Sequence, residues 1–112
     1  MSMTKLCAVD DIPEGGSKGF ELEQAFSCFA VKRDDQVYVY RNRCPHLGVE
    51  LEWVEDQFLD MDGALIQCAT HGALFLIESG HCVGGPCLGE NLQAMEFVIQ
   101  QGDILLKDVA AD

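Results

Sequence analysis

Short runs of aromatic and β-branched residues, divided by Gly, Asp and Asn, recur along the chain, and no stretch of useful length holds a 3.6-residue apolar period. Such a pattern gives no helix a continuous apolar stripe, so the expected fold class is all-β. Lys5 to Val9 reads as a first strand and Phe26 to Lys32 as a second, with Arg33-Asp34-Asp35-Gln36 turning the chain back into Val37 to Asn42. Alternation puts Val37 and Val39 on one face of that strand and Tyr38 and Tyr40 on the other. Gln57 to Asp60 and Ala64 to Gln67 flank Met61-Asp62-Gly63, whose Asp-Gly pair marks a hairpin turn. Ala73 to Ile77 is a further strand, closed by Glu78-Ser79-Gly80. Met95 to Gln100 pairs naturally with Asp103 to Lys107 across Gln101-Gly102. Asp11 to Gly19 and Gly84 to Gly89 read as connections from their Gly and Pro content.

At 112 residues the chain is long enough for one core, and a single domain over residues 1–112 is expected. Seven Lys and Arg against 19 Asp and Glu give a net charge of -12. All seven bases lie outside Cys44 to Leu106, a stretch that carries ten acids. Binding nucleic acid requires clustered bases to neutralise phosphates, and an anionic membrane surface repels acids, so neither is an expected partner. Met1 to Asp10 has one base and no apolar run of signal-peptide length, which makes the cytoplasm the expected location. In that compartment six Cys point to metal ligands and buried thiols rather than disulfides.

Two of the three His stand beside Cys in short, turn-rich segments, Cys44-Pro45-His46-Leu47-Gly48 and Cys68-Ala69-Thr70-His71-Gly72. Each segment begins where a predicted strand ends, offers one thiolate and one imidazole, and runs into a Gly that lets backbone amides turn toward an anion such as a bridging sulfide. Two such loops facing each other supply two sulfur and two nitrogen donors. A sulfide-bridged pair of irons takes them asymmetrically, both thiolates on one iron and both imidazoles on the other. A tetrahedral zinc site is the alternative for the same donors, although Cys44-x-His46 is tighter than the two-to-four-residue spacing usual for zinc.

The pattern Cys-x-His, spacer, Cys-x-x-His resembles that of Rieske-type [2Fe-2S] ferredoxins, with specific motifs over about residues 40 to 92. The resemblance implies an antiparallel β-sandwich or barrel with a small cluster-binding subdomain, built from the two ligand loops over about residues 43–90, and one [2Fe-2S] cluster per chain. Cys44 and Cys68 would hold the inner iron, and His46 and His71 the outer, solvent-facing one. It further implies a third loop over the cluster, represented by Gly85-Pro86, and Leu47, between His46 and Gly48, reads as a shield of the cluster rather than part of a binding pocket. Where high-potential respiratory Rieske proteins carry a disulfide between the two loops, this chain has Val49 and Thr70. Where they place Ser and Tyr hydroxyls near the sulfurs, it has Ala73 and Phe75. Fewer hydrogen bonds to the sulfurs leave the reduced cluster less stabilised, so the lower part of the Rieske span of about -150 to +300 mV is expected. The 21-residue spacer from Leu47 to Gln67 is somewhat long for the family, and its acidic insertion, Glu50 to Asp62, is a candidate for partner selection.

The implied function is one-electron transfer from a flavin-dependent reductase to a terminal oxygenase or related redox enzyme, with acids steering the carrier toward basic patches on these partners. A complete Rieske oxygenase also needs an iron held by two His and a carboxylate, and only His81 remains once the cluster is built. No Gly-x-Gly-x-x-Gly is present for a nicotinamide or flavin domain. The chain therefore reads as a carrier rather than an enzyme. A small Rieske-fold subunit fixed in a larger complex, as in nitrite reductases, is the alternative. Cys7 and Cys28 read as core residues and His81 as a surface residue. Cys82 and Cys87 are four residues apart, but Glu90 stands where a plant-type cluster needs its next Cys, so both read as buried small hydrophobes. Trp53 fits either a docking face or packing within the insertion.

Overall fold

The computed structural model describes residues 3–21, 27–43, 58–60, 63–68, 72–85 and 89–107. Along the described chain run β1 (Met3–Ala8), a 3-10 turn (Val9–Asp11), β2 (Gly16–Glu21), β3 (Ser27–Arg33), β4 (Gln36–Arg41), β5 (Leu65–Gln67), β6 (Leu74–Leu76), β7 (Cys82–Gly84), β8 (Phe97–Gln100) and β9 (Asp103–Lys107). They form three antiparallel sheets, ordered β1-β9-β8, β2-β3-β4 and β5-β6-β7. Among the described residues no helix is long and apolar enough to cross a membrane.

The β2-β3-β4 sheet contributes to two apolar cores, one from each face. Phe29 and Val31 of β3 and Tyr40 of β4 join Ile66, Cys68, Phe75 and Cys82 of the β5-β6-β7 sheet in one core. Cys28 and Ala30, with Val37 and Val39, join Cys7, Ile104 and Leu106 of the β1-β9-β8 sheet in the other. The expected split of valines and tyrosines in β4 is thus observed, and both faces are put to use. In the first core Phe58, from the segment preceding β5, stacks on Phe29 with ring centroids 4.3 Å apart and planes 5° from parallel.

The β3–β4 and β8–β9 hairpins close through two-residue turns whose central residues all have positive φ: Asp34 and Asp35 in the first, Gln101 and Gly102 in the second. Asp tolerates this region better than most residues but without glycine's freedom. The Glu14 carboxylate supports the first turn by accepting from the amides of Asp34 at 2.6 Å and Asp35 at 3.1 Å. Before β5, Leu59 is bridged to Ile66, the Gly63 amide donates to the Asp60 carbonyl at 3.0 Å and Gly63 has φ +69, while Gln57, Met61 and Asp62 of the expected hairpin lie outside the described residues. The Asp60 carboxylate accepts there from the amides of Ala64 and Leu65. Arg33 donates to the Ala64 carbonyl at 3.0 Å, joining this turn to the end of β3.

Three details correct the sequence reading. Gly16 to Gly19, expected as connection, is strand, because β2 pairs with β3 from Gly16 opposite Lys32 to Glu21 opposite Ser27. Val9 leaves the first strand for the 3-10 turn, where its amide donates to the Gly102 carbonyl. Gly84, expected as loop, ends β7 opposite Leu74. Ladder partners distant in sequence decide the first and third of these, over local composition.

Candidate metal centre

The β5–β6 connection is held shut at its foot. β5 ends at Gln67, and the next residue, Cys68, is fully buried in the core shared with the β2-β3-β4 sheet. The Cys68 amide donates to the Ala73 carbonyl at 2.8 Å, and the Gly72 amide donates to the Cys68 carbonyl at 2.8 Å. Gly72 has φ +69, a conformation a side chain would strain, and it turns the chain back into β6. Cys68 is thus a thiol fixed at the root of a tight loop, the rigid placement a metal ligand requires.

The chain leaving β7 lies against Ala73. β7 pairs with β6 through Phe75 opposite Cys82 and Leu74 opposite Gly84, with a register shift that makes Val83 the extra residue. The chain then passes Gly85, at φ +88, so close to the β5–β6 connection that a Cβ there would lie 2.7 Å from the Ala73 Cα and 3.1 Å from its nitrogen. Only glycine permits this approach. Beyond it, the Cys82 amide donates to the Glu90 carbonyl at 2.8 Å and the Gly89 amide reaches the Cys82 carbonyl at 3.5 Å.

The chain heading for Cys44 is anchored as well. The Arg41 amide donates to the Gln93 carbonyl, the Asn42 amide to the Ser27 carbonyl and the Arg43 amide to the Arg41 carbonyl. Of the expected ligands and covering residues, Cys68 and Gly85 are placed as above, while Cys44, His46, Leu47, His71 and Pro86 lie outside the described residues. Val49, Trp53, Thr70 and Cys87 do so too, as does nearly all of the insertion Glu50 to Asp62. Ala73 and Phe75 are fully buried, and neither side chain brings a hydroxyl to the loop.

The remaining described thiols and imidazole match their sequence reading. Cys7, Cys28 and Cys82 are buried and outside any disulfide. Burial pushes the Cys28 thiol up to about 12. The Cys7 thiol is raised by burial first and by the nearby Asp11 carboxylate second. His81 is exposed, with Nδ1 2.7 Å from Asn91 Oδ1. The Cys82 thiol has a partner that sequence spacing could not reveal, donating to the Gly84 carbonyl at 3.1 Å.

The Rieske [2Fe-2S] domain model matches residues 2–102. The chain belongs to the Rieske [2Fe-2S] domain family. This Rieske domain is 24% identical over 106 residues to the 3-phenylpropionate/cinnamic acid dioxygenase ferredoxin subunit of Photorhabdus laumondii, covering 95% of this chain and 94% of the relative. It is 28% identical over 107 residues to the biphenyl dioxygenase ferredoxin subunit of Pseudomonas sp. strain KKS102, covering 95% and 92%. Its fold superposes with a TM-score of 0.75 at 24% identity on a structure described as a complex of reduced oxygenase and oxidized ferredoxin in carbazole 1,9a-dioxygenase, covering 93% of this chain and 91% of that one. A [2Fe-2S] cluster is the group a Rieske domain carries. The described part of the site fits it: Cys68 is buried with its amide bonded to Ala73 and its carbonyl to Gly72, and Gly85 lies against Ala73.

Proposed function

We propose that this chain is a soluble, cytoplasmic one-electron carrier, a single Rieske domain over residues 1–112 with its cluster-binding subdomain at about 43–90. It binds one [2Fe-2S] cluster, with Cys44 and Cys68 on the inner iron and His46 and His71 on the outer. The cluster supplies reversible one-electron chemistry. The chain's own residues fix the ligands, limit water and present the edge through which electrons pass. Cys68 is held by main-chain bonds to Gly72 and Ala73, Gly85 lies against Ala73 and leads into Pro86, and the role assigned to Leu47 is to shield the cluster. The single observation that carries the reading is the closed Cys68–Ala73 loop with Gly85 seated on it, within a family match spanning nearly the whole chain.

The electron donor is a flavin-dependent reductase and the acceptor a terminal oxygenase. The acceptor is supported by the relatives' description as dioxygenase ferredoxin subunits over almost their full length, which also favours a mobile carrier over a subunit fixed in a nitrite-reductase-like complex. The stretch from Cys44 to Leu106, acidic and free of bases, suits docking on basic partner patches. Buried Ala73 and Phe75, which bring no hydroxyls to the cluster loop, support a potential in the lower part of the Rieske span. Metal and acid-labile sulfide analysis of protein produced with iron and sulfide tests the assignment. Two irons and two sulfides per chain are expected, lost in Cys44→Ala and Cys68→Ala; one zinc with no labile sulfide would refute it.

A further inference from the structure

Cys82 occupies the base of the loop that begins at Gly85, and its backbone closes that loop through Glu90 and Gly89. Its thiol points into the core and donates to the Gly84 carbonyl at 3.1 Å, across the register shift that makes Val83 the extra residue. Gly84 leads directly into Gly85, Gly85 lies against the Ala73 Cα, and the Ala73 carbonyl accepts from the Cys68 amide. A chain of direct contacts therefore runs from the Cys82 thiol to the backbone of the proposed ligand Cys68. We propose that Cys82 is a positioning residue: its thiol hydrogen bond sets how closely Gly85 seats on Ala73, and through the Ala73–Cys68 bond thereby tunes the environment of the cluster.

A packing role and a hydrogen-bonding role make opposite forecasts for two substitutions. Val keeps an apolar side chain and removes the donor, whereas Ser keeps the donor and is the poorer apolar filler. Amide hydrogen exchange at Cys68 and Cys82, measured in the full chain, reads the loop contact whether or not a cluster is present. Redox titration of the cluster-loaded protein reads its consequence, and this arm rests on the carrier reading above. In Cys82→Ala and Cys82→Val, exchange at these amides is expected to quicken by about fivefold, the loss of a bond of about 1 kcal/mol, and the potential to shift. Cys82→Ser is expected to stay close to the parent in both. Should Cys82→Ala fail to fold, the Val and Ser pair decides alone. Exchange unchanged in the Val variant, or Val resembling the parent while Ser departs from it, overturns the proposal. Parent protein that assembles no [2Fe-2S] cluster overturns the carrier reading instead, and the exchange measurement still decides the role of Cys82.

Discussion

The Tyr40 hydroxyl donates to the Ile77 carbonyl at 2.6 Å inside the core, joining β4 to the turn that follows β6. The Tyr40 ring also lies where a Cβ on Gly80 would come within 2.8 Å of it, so the turn is shaped around this side chain. Because β6 and β7 carry the two loops of the metal centre, the bond ties the site to the β2-β3-β4 sheet. Tyr40→Phe leaves the Ile77 carbonyl without this donor and is expected to lower stability by about 1 to 2 kcal/mol, measured by urea unfolding.

Burial, followed by the neighbouring Tyr38 and Glu78, pushes the Tyr40 hydroxyl up to about 12 from its ordinary 10.0. A raised acid contributes stability that is complete below its unfolded value and is lost as pH rises through its folded one. Stability is therefore expected to fall from about pH 10 toward pH 12, in step with tyrosinate absorbance. Tyr40→Phe removes this group's share of the fall.

At the β3–β4 turn the sign is reversed. Hydrogen bonds from the amides of Asp35 and Asp34 hold the Glu14 carboxyl below its ordinary 4.5. Its contribution is present above pH 4.5 and is lost as pH falls through the depressed value. Glu14→Gln is expected to lower the unfolding midpoint at neutral pH, and the difference from the parent to vanish in strong acid. A difference unchanged by acid would show that the carboxylate charge is not what supports the turn.

Gly85→Ala combines a left-handed φ with a Cβ 2.7 Å from the Ala73 Cα. A cost of about 1 to 2 kcal/mol follows from the backbone conformation alone, before any displacement of the loop. Gly89→Ala, at φ +91 with nothing within 4 Å of its Cβ, is the control that carries conformational strain without the clash. Gly85→Ala is expected to lower the unfolding midpoint and the cluster content more than Gly89→Ala.

The thiols of Cys7 and Cys28 are buried and raised. A thiol reagent at pH 8 is expected to reach Cys28 only through opening of the fold, so its labelling rate should track denaturant, whereas rapid labelling in native buffer would contradict the burial.

Much of this was legible in the sequence, and what was missed has a common cause. Alternation found β3 and β4, and the pair Gln101-Gly102 found a turn, because periodicity and positive-φ residues are local signals. Gly16-Ser17-Lys18-Gly19 hid β2, since two glycines read as a connection when the strand is in fact made by its partner β3. The three-residue β7 carries no period, and its register shift is invisible without β6. At the site, Cys68 announces itself by its spacing to His71, whereas the tie from Cys82 to Gly84 depends on how β7 is bent.

Electron paramagnetic resonance of the dithionite-reduced protein, produced with iron and sulfide, reads the ligand set of the cluster. A Rieske-type signal from a mixed-valence pair held by two thiolates and two imidazoles is expected, lost on Cys68→Ala. A reduced sample with no such signal, or with the signal of an all-thiolate [2Fe-2S] cluster, would contradict the assignment of Cys44, His46, Cys68 and His71 as its ligands.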